Sequence, residues 1–138
     1  MSKRACLFTA AALPAMPVAS QTAIPDVRGT WKGESELLVL GGGNPHHPAV
    51  QANEPELRSV PFTLTVDKQD GRRFSGTFSS PRSSEKVIAV ISRGGTIFLA
   101  DDEGYTHGTL LAPNRMELCY LHVSSAARVA SCAELTKQ

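Results

Sequence analysis

The feature that most limits how this chain can fold is strand-type alternation, which recurs along it and nowhere gives way to a helical period. Beyond residue 20, no stretch keeps apolar residues at helical spacing over three turns. Val60, Phe62, Leu64 and Val66 alternate instead with Thr63, Thr65 and Asp67, so an extended backbone there has one apolar and one polar side. Phe74, Gly76 and Phe78 repeat the pattern, and Trp31, Leu37 and Val39 share one parity. Residues 86–92 and 96–101 are nearly continuous apolar runs. These signals predict eight strands, over residues 28–40, 60–67, 73–79, 86–92, 96–101, 105–111, 115–123 and 128–136.

The connections favour pairing in sequence order. Gln69-Asp70-Gly71 suits a three-residue hairpin loop with Gly71 in the left-handed conformation. That register sets Val66 beside Phe74, Leu64 beside Gly76 and Phe62 beside Phe78, all on one face. Gly94-Gly95, Asp102-Glu103-Gly104 and Ala112-Pro113-Asn114 suit further short turns. The expected fold is therefore all-β, an eight-stranded antiparallel up-and-down barrel, because closure leaves no sheet edge exposed. A two-sheet β-sandwich is the alternative. One long irregular stretch remains, residues 41–56, rich in Gly, Pro, His and Asn. Loops of that length usually carry function or stay disordered.

Residues 1–20 read as an export signal. Lys3 and Arg4 form a basic start, residues 5–13 an apolar core, and Pro14 and Pro17 precede Val18-Ala19-Ser20, small residues that suit cleavage after Ser20. The apolar run is too short and too broken for a membrane span. Residues 21–138 then suit a single barrel domain, periplasmic or secreted, with one modest core. The 14 Lys+Arg and 13 Asp+Glu become 12 and 13 without Lys3 and Arg4, so no charge excess points to nucleic acid or an anionic membrane. Cys6 would leave with the signal. Cys119 and Cys132 remain, equidistant from the polar break at 124–127, and a hairpin folded there sets them opposite each other within disulfide reach.

Gly29-Thr30-Trp31, near the start of the first strand, resembles the Gly-x-Trp opening of the calycins: lipocalins, avidins and their relatives. The resemblance implies a small antiparallel barrel that binds a small, mostly apolar ligand in its mouth. It also implies that Trp31 closes the barrel floor and that the 41–56 loop covers the mouth. The chain lacks the Thr-Asp-Tyr motif of the second lipocalin signature, and its single tryptophan departs from avidin-type biotin sites, which use several. Such a likeness supports an architecture and leaves the ligand open.

One constellation of ring-bearing polar residues lies on the sixth and seventh strands. A hairpin with 112–115 as its loop pairs Leu111 with Met116 and Thr109 with Leu118, which sets His107 opposite Tyr120 and Tyr105 opposite His122. Ser131 joins them from the last strand, next to Tyr120. Leu111, Met116, Leu118, Val129, Ala133 and Leu135 look like a core face. Tyr105, His107, Tyr120 and His122 are therefore expected inside, at the polar end of a cavity on the order of a few hundred Å³. The alternative is a filled barrel in which these groups bond one another. The same register sets Glu117 opposite Glu134, which is unfavourable, and a bulge would change it. On this placement Ile91, Phe98 and Leu110 face outward, as an apolar patch suited to a homodimer or an envelope protein.

The adjacent His46 and His47 diverge in extended backbone and make a poor chelate, so their loop reads as solvated and Pro-stiffened. The acidic run Asp101-Asp102-Glu103-Gly104 reads as a turn, and no metal site is expected. No phosphate loop, dinucleotide fingerprint, Gly-x-Ser-x-Gly elbow or Cys-x-x-Cys occurs, so neither a cofactor nor a catalytic residue is assigned. The leading expectation is a non-enzymatic exported barrel that binds a small apolar or amphipathic ligand through Tyr105, His107, Tyr120 and His122, with Trp31 closing the floor. A protein-interaction module, for an envelope partner or a protease, is the alternative. A calycin-like cyclase or isomerase working through His107 or Tyr120 is the third reading.

Overall fold

The computed structural model describes residues 23–138, and the export segment read in residues 1–20 lies outside the described residues. Eight strands follow in order: β1 (Gly29–Gly41), β2 (Glu56–Asp70), β3 (Arg73–Ser79), β4 (Ser84–Ile91), β5 (Thr96–Ala100), β6 (Tyr105–Ala112), β7 (Arg115–Val123) and β8 (Ala127–Lys137). Each pairs antiparallel with the next, and β8 pairs back onto β1, which closes the barrel. Ser35 of β1, for example, faces Val60 of β2 on one side and Ala133 of β8 on the other. That continuity excludes the sandwich, whose two sheets would each keep two free edges. Among the described residues, no helix is long and apolar enough to cross a membrane.

Alternation decides what fills the barrel. One half is packed solid around Trp31, Leu64, Ile91, Ile97, Met116 and Leu135, none more than 1% exposed. Each such side chain contributes about 2 kcal/mol of apolar transfer free energy. The chain before β1 folds across this end as a floor. Val27 is fully buried there, and the Trp31 indole N–H donates to Val27 O at 2.8 Å. Gln69 ties the same segment down, accepting from Val27 N at 2.9 Å and donating to Pro25 O at 2.8 Å. The other half has a second, smaller core of Leu37, Val39 and Val129, with Val50, Val60 and Tyr120 against it.

Two β-bulges set the registers. In β2 the register shifts between Val66 and Lys68, so Val66 faces Gly76 and Leu64 faces Phe78. The expected pairs were two residues out of step, yet the faces are those expected, because a shift of two conserves parity. Gly71 has φ +57°, and the loop tightens to two residues between Asp70 and Arg73. In β6 the register shifts between Leu110 and Ala112, so Leu110 faces Met116, and from there the inward residues are Gly108 and Thr106. Here the shift is by one, and it inverts the strand. Tyr105 and His107 consequently stand outside, contrary to the inward placement expected from pairing Leu111 with Met116. Leu110 is inside for the same reason; Ile91 of β4 is also inside, contrary to the outward placement expected, while Phe98 does face out.

The last hairpin follows the expected register. Cys119 faces Cys132, and the two form a disulfide on the outer surface, with Cα atoms 4.0 Å apart. Glu117 faces Glu134 as anticipated, and Arg115 offsets the repulsion by donating from Nε to Glu134 Oε1 at 2.8 Å.

Candidate ligand site at the barrel mouth

The connection from β1 to β2 folds down over the open end of the barrel. Gly42 N donates to Ala126 O at 2.8 Å, and Val50 N to Gly41 O at 2.8 Å, which pins both arms of the loop. At its tip the Asn44 side chain accepts from the backbone N–H of His46 (2.9 Å) and His47 (3.0 Å), closing a tight turn. Two consecutive histidines are thereby turned inward rather than left in solvent, which corrects the solvated reading of this loop.

His46 enters the mouth. Its ring meets Phe62 edge-on at 5.3 Å and Phe78 at 6.2 Å, and those two phenyl rings stack on each other at 4.6 Å. Nε2 donates to Glu85 Oε1 at 2.7 Å, and Nδ1 meets Ser80 Oγ at 2.8 Å. Both partners of the His46–Glu85 pair are about nine-tenths buried. His47 is 2% exposed. Its Nδ1–H donates to Pro48 O at 3.1 Å, while its buried Nε2 has no partner among the described residues.

Between the loop and the packed half lies a chamber of about 50 Å³, room for a few water molecules. The cavity expected from the sequence was several times larger. It is small here because His46 occupies the mouth and the solid core rises as far as Leu99 and Leu118. Its wall is apolar at Leu37, Val60, Phe62 and Phe78, and polar at Ser35, Thr106, Tyr120 and Ser131. Glu85, Asp101 and Glu103 add three carboxyl groups, and among the described residues no Lys or Arg lines the space. Burial pushes the Glu85 carboxyl above the usual carboxylate range; its bond to His46 opposes this, and Asp101 reinforces it. Burial, and then the charges of Asp101, Glu103 and Glu85, push the Tyr120 phenol well above the ordinary tyrosine value. Burial also lowers His47, leaving it neutral with an open acceptor at Nε2.

The five ring residues singled out in the sequence do not form one cluster. Tyr120 lines the chamber with Ser131 opposite it on β8. His122 lies above it on the same inward row, its ring 6.4 Å from that of Tyr120 and its Nδ1 at 3.3 Å from Glu103 O. Trp31 is at the opposite end, in the floor. Tyr105 and His107 are on the outer wall beside Phe98, whose ring is 5.1 Å from that of His107. The residues that local pattern missed are His46, His47 and Glu85. The one available signal was Phe62 and Phe78 on a common face, which defines the aromatic slot that His46 enters.

The outer wall carries a second feature. Across β4 to β8, Ile88, Ala100, Tyr105, Leu121 and Ala130 are partners in one register row. Val90, Phe98, His107, Cys119 and Cys132 form the next. Neither row holds an Asp, Glu, Lys or Arg, and Ile88, Tyr105 and Leu121 are each more than half exposed.

No protein-family model matches the chain, and no curated protein does either. Among solved structures it is similar to a redesigned β-barrel, with a TM-score of 0.46 and 9% identity over 81% of this chain and 91% of that one. It is also similar to an S-type phycobiliprotein lyase from Guillardia theta, with a TM-score of 0.48 and 11% identity over 81% of this chain and 88% of that one.

Proposed function

We propose that this chain is an exported barrel that takes a small amphipathic molecule into its mouth, beneath the loop joining β1 and β2. The observation that carries the reading is the loop itself, which seats His46 against two stacked aromatic rings and encloses a chamber with both apolar and polar walls. Pockets that orient small molecules combine those two kinds of surface. The closed chamber is too small for more than a few atoms, so entry requires His46 to withdraw. Export is supported by the basic and apolar start of the sequence and by the Cys119–Cys132 bond, which suits an oxidising compartment. The cyclase or isomerase alternative loses His107, which lies on the outer wall.

Native mass spectrometry of the protein purified from its own host tests the reading. A bound small molecule that is lost on replacing Tyr120 by alanine is the expected result. A chain that carries nothing, and that gains no thermal stability from any member of a small-molecule library, would remove it.

A second reading concerns the uncharged rows on β4 to β8. An exposed apolar patch of that breadth marks a contact surface. A second copy of the same chain is the partner that suits it, since a two-fold axis through the rows brings no like charges together. Light scattering at rising concentration is expected to show dimers, and Phe98→Asp to abolish them. A strict monomer would sink this reading.

A further inference from the structure

We propose that the chamber takes a small organic cation, a primary or secondary ammonium with an apolar body, and that His46 holds this ligand's place in the closed barrel. The inference rests on the reading of the chamber as a binding site, and it names the class of molecule the site selects.

The slot around His46 is built for an N–H donor beside an aromatic wall. His46 Nε2 meets the Glu85 carboxyl at 2.7 Å while its ring edges rest on Phe62 and Phe78 at 5.3 and 6.2 Å. A carboxylate at one end with aromatic rings alongside is the arrangement that holds ammonium groups, through charge-assisted hydrogen bonds and attraction to the ring faces. The remaining charge in the wall has one sign. Among the described residues, Glu85, Asp101 and Glu103 line the chamber without a Lys or Arg, so an anionic guest would meet three carboxyl groups and no Lys or Arg in that lining.

An independent observation comes from His47. With Nδ1–H given to Pro48 O, Nε2 carries a lone pair, and it is buried in the lining with no donor among the described residues. A buried acceptor without a donor costs free energy that a ligand N–H would recover. The Tyr120 hydroxyl, kept protonated by burial and by the same carboxylates, can accept as well as donate. Carboxylates, a bare imidazole nitrogen and aromatic rings all ask for the same guest. The imidazole of His46 is what the protein supplies in its absence, and a ligand must displace it.

Isothermal titration of the full, disulfide-bonded chain with benzylamine, benzyl alcohol and benzoate, alike in shape and differing in charge, separates charge from size. Benzylamine is expected to bind at least about tenfold more tightly than the alcohol at neutral pH, the worth of one charged hydrogen bond, and benzoate least. His46→Ala should tighten benzylamine by about tenfold or more, because the competing side chain is gone. Glu85→Gln should remove the preference for the amine and leave the alcohol unchanged. If that variant does not fold, the ligand series on the native protein and on His46→Ala decides alone. Equal or tighter binding of the alcohol or the benzoate would overturn the cation assignment while leaving the chamber a binding site. No binding of any of the three to either protein would take both readings down together.

Discussion

At the scale of single residues, Gly108 decides which way β6 faces. A Cβ there would stand 2.3 Å from Leu118 Cδ2 and 2.8 Å from the backbone oxygen of Glu117. Leu118 has taken the space, so the inward row of β6 is built from small residues, Gly108 and Thr106. The bulkier Tyr105 and His107 are left to the outside. Gly108→Ala is expected to cost about 1–3 kcal/mol, since the leucine can turn aside but the carbonyl cannot. A urea midpoint equal to that of the native protein would show that β6 tolerates other packing. The inversion also shows where sequence reasoning stops. Parity in β2, β3, β7 and β8 was legible from Val60 to Val66, Phe74 to Phe78 and the cysteine pair, because each of those stretches alternates without interruption and the β2 bulge falls after Val66. In β6 a single bulge at Leu111 breaks the alternation, and adjacent Leu110 and Leu111 read equally well as the inward residue.

At the scale of elements, the two devices that hold the mouth end are the β1–β2 loop and the β7–β8 hairpin, and each has its own signature. His47 anchors the loop as a buried neutral imidazole, its pKa lowered from 6.5 by burial and by the charges of Arg58, His46 and His122. The unfolded chain therefore binds a proton first. Stability from this group is complete above pH 6.5 and declines as the pH falls toward the lowered folded value. Glu85 acts with the opposite sign, because its carboxyl is raised: its contribution is complete at low pH and is lost as the pH rises from 4.5 through the folded value. Comparing unfolding free energies of the native protein and His47→Asn between pH 5 and 7 isolates the histidine, since Glu85 is common to both. The native protein is expected to lose stability on acidification relative to the variant, and parallel profiles would show that His47 does not titrate with folding. In the hairpin, Cys119 and Cys132 close a loop with a sequence separation of 13. Replacing both by serine should cost about 3 kcal/mol, measured against the native protein under non-reducing conditions. A loss below about 1 kcal/mol would mean that the hairpin is equally ordered without its bond. The cysteine register was readable because the two residues are symmetric about a short turn. The loop was not, because His46 finds Ser80 and Glu85 at sequence separations of 34 and 39, and no local period announces contacts at that distance.

At the scale of the molecule, the barrel divides into a half that is filled and a half that is held shut. The filled half rests mainly on the hydrophobic effect; its residues on β2, β3, β7 and β8 could be read from alternation, while the continuous apolar runs of β4 and β5 hid the inward placement of Ile91. The shut half spends two ionisable side chains, His46 and Glu85, where two apolar ones would pack. Buried hydrogen-bonded pairs of ionisable groups seldom stabilise a fold more than hydrophobic residues of similar volume, because desolvation offsets their attraction. Retaining one at the mouth of a chamber therefore makes sense if the pair must open for a ligand and close after it. The double variant His46→Leu/Glu85→Met tests this. Its thermal midpoint is expected to equal or exceed that of the native protein, with unfolding free energy higher by up to about 4 kcal/mol, while binding of benzylamine is lost. Glu85→Met alone should be the least stable of the set, because it leaves the His46 ring in the slot without its acceptor. A double variant that melts well below the native protein would make the pair a structural element of the closed barrel, and the mouth would then be a plug and not a gate.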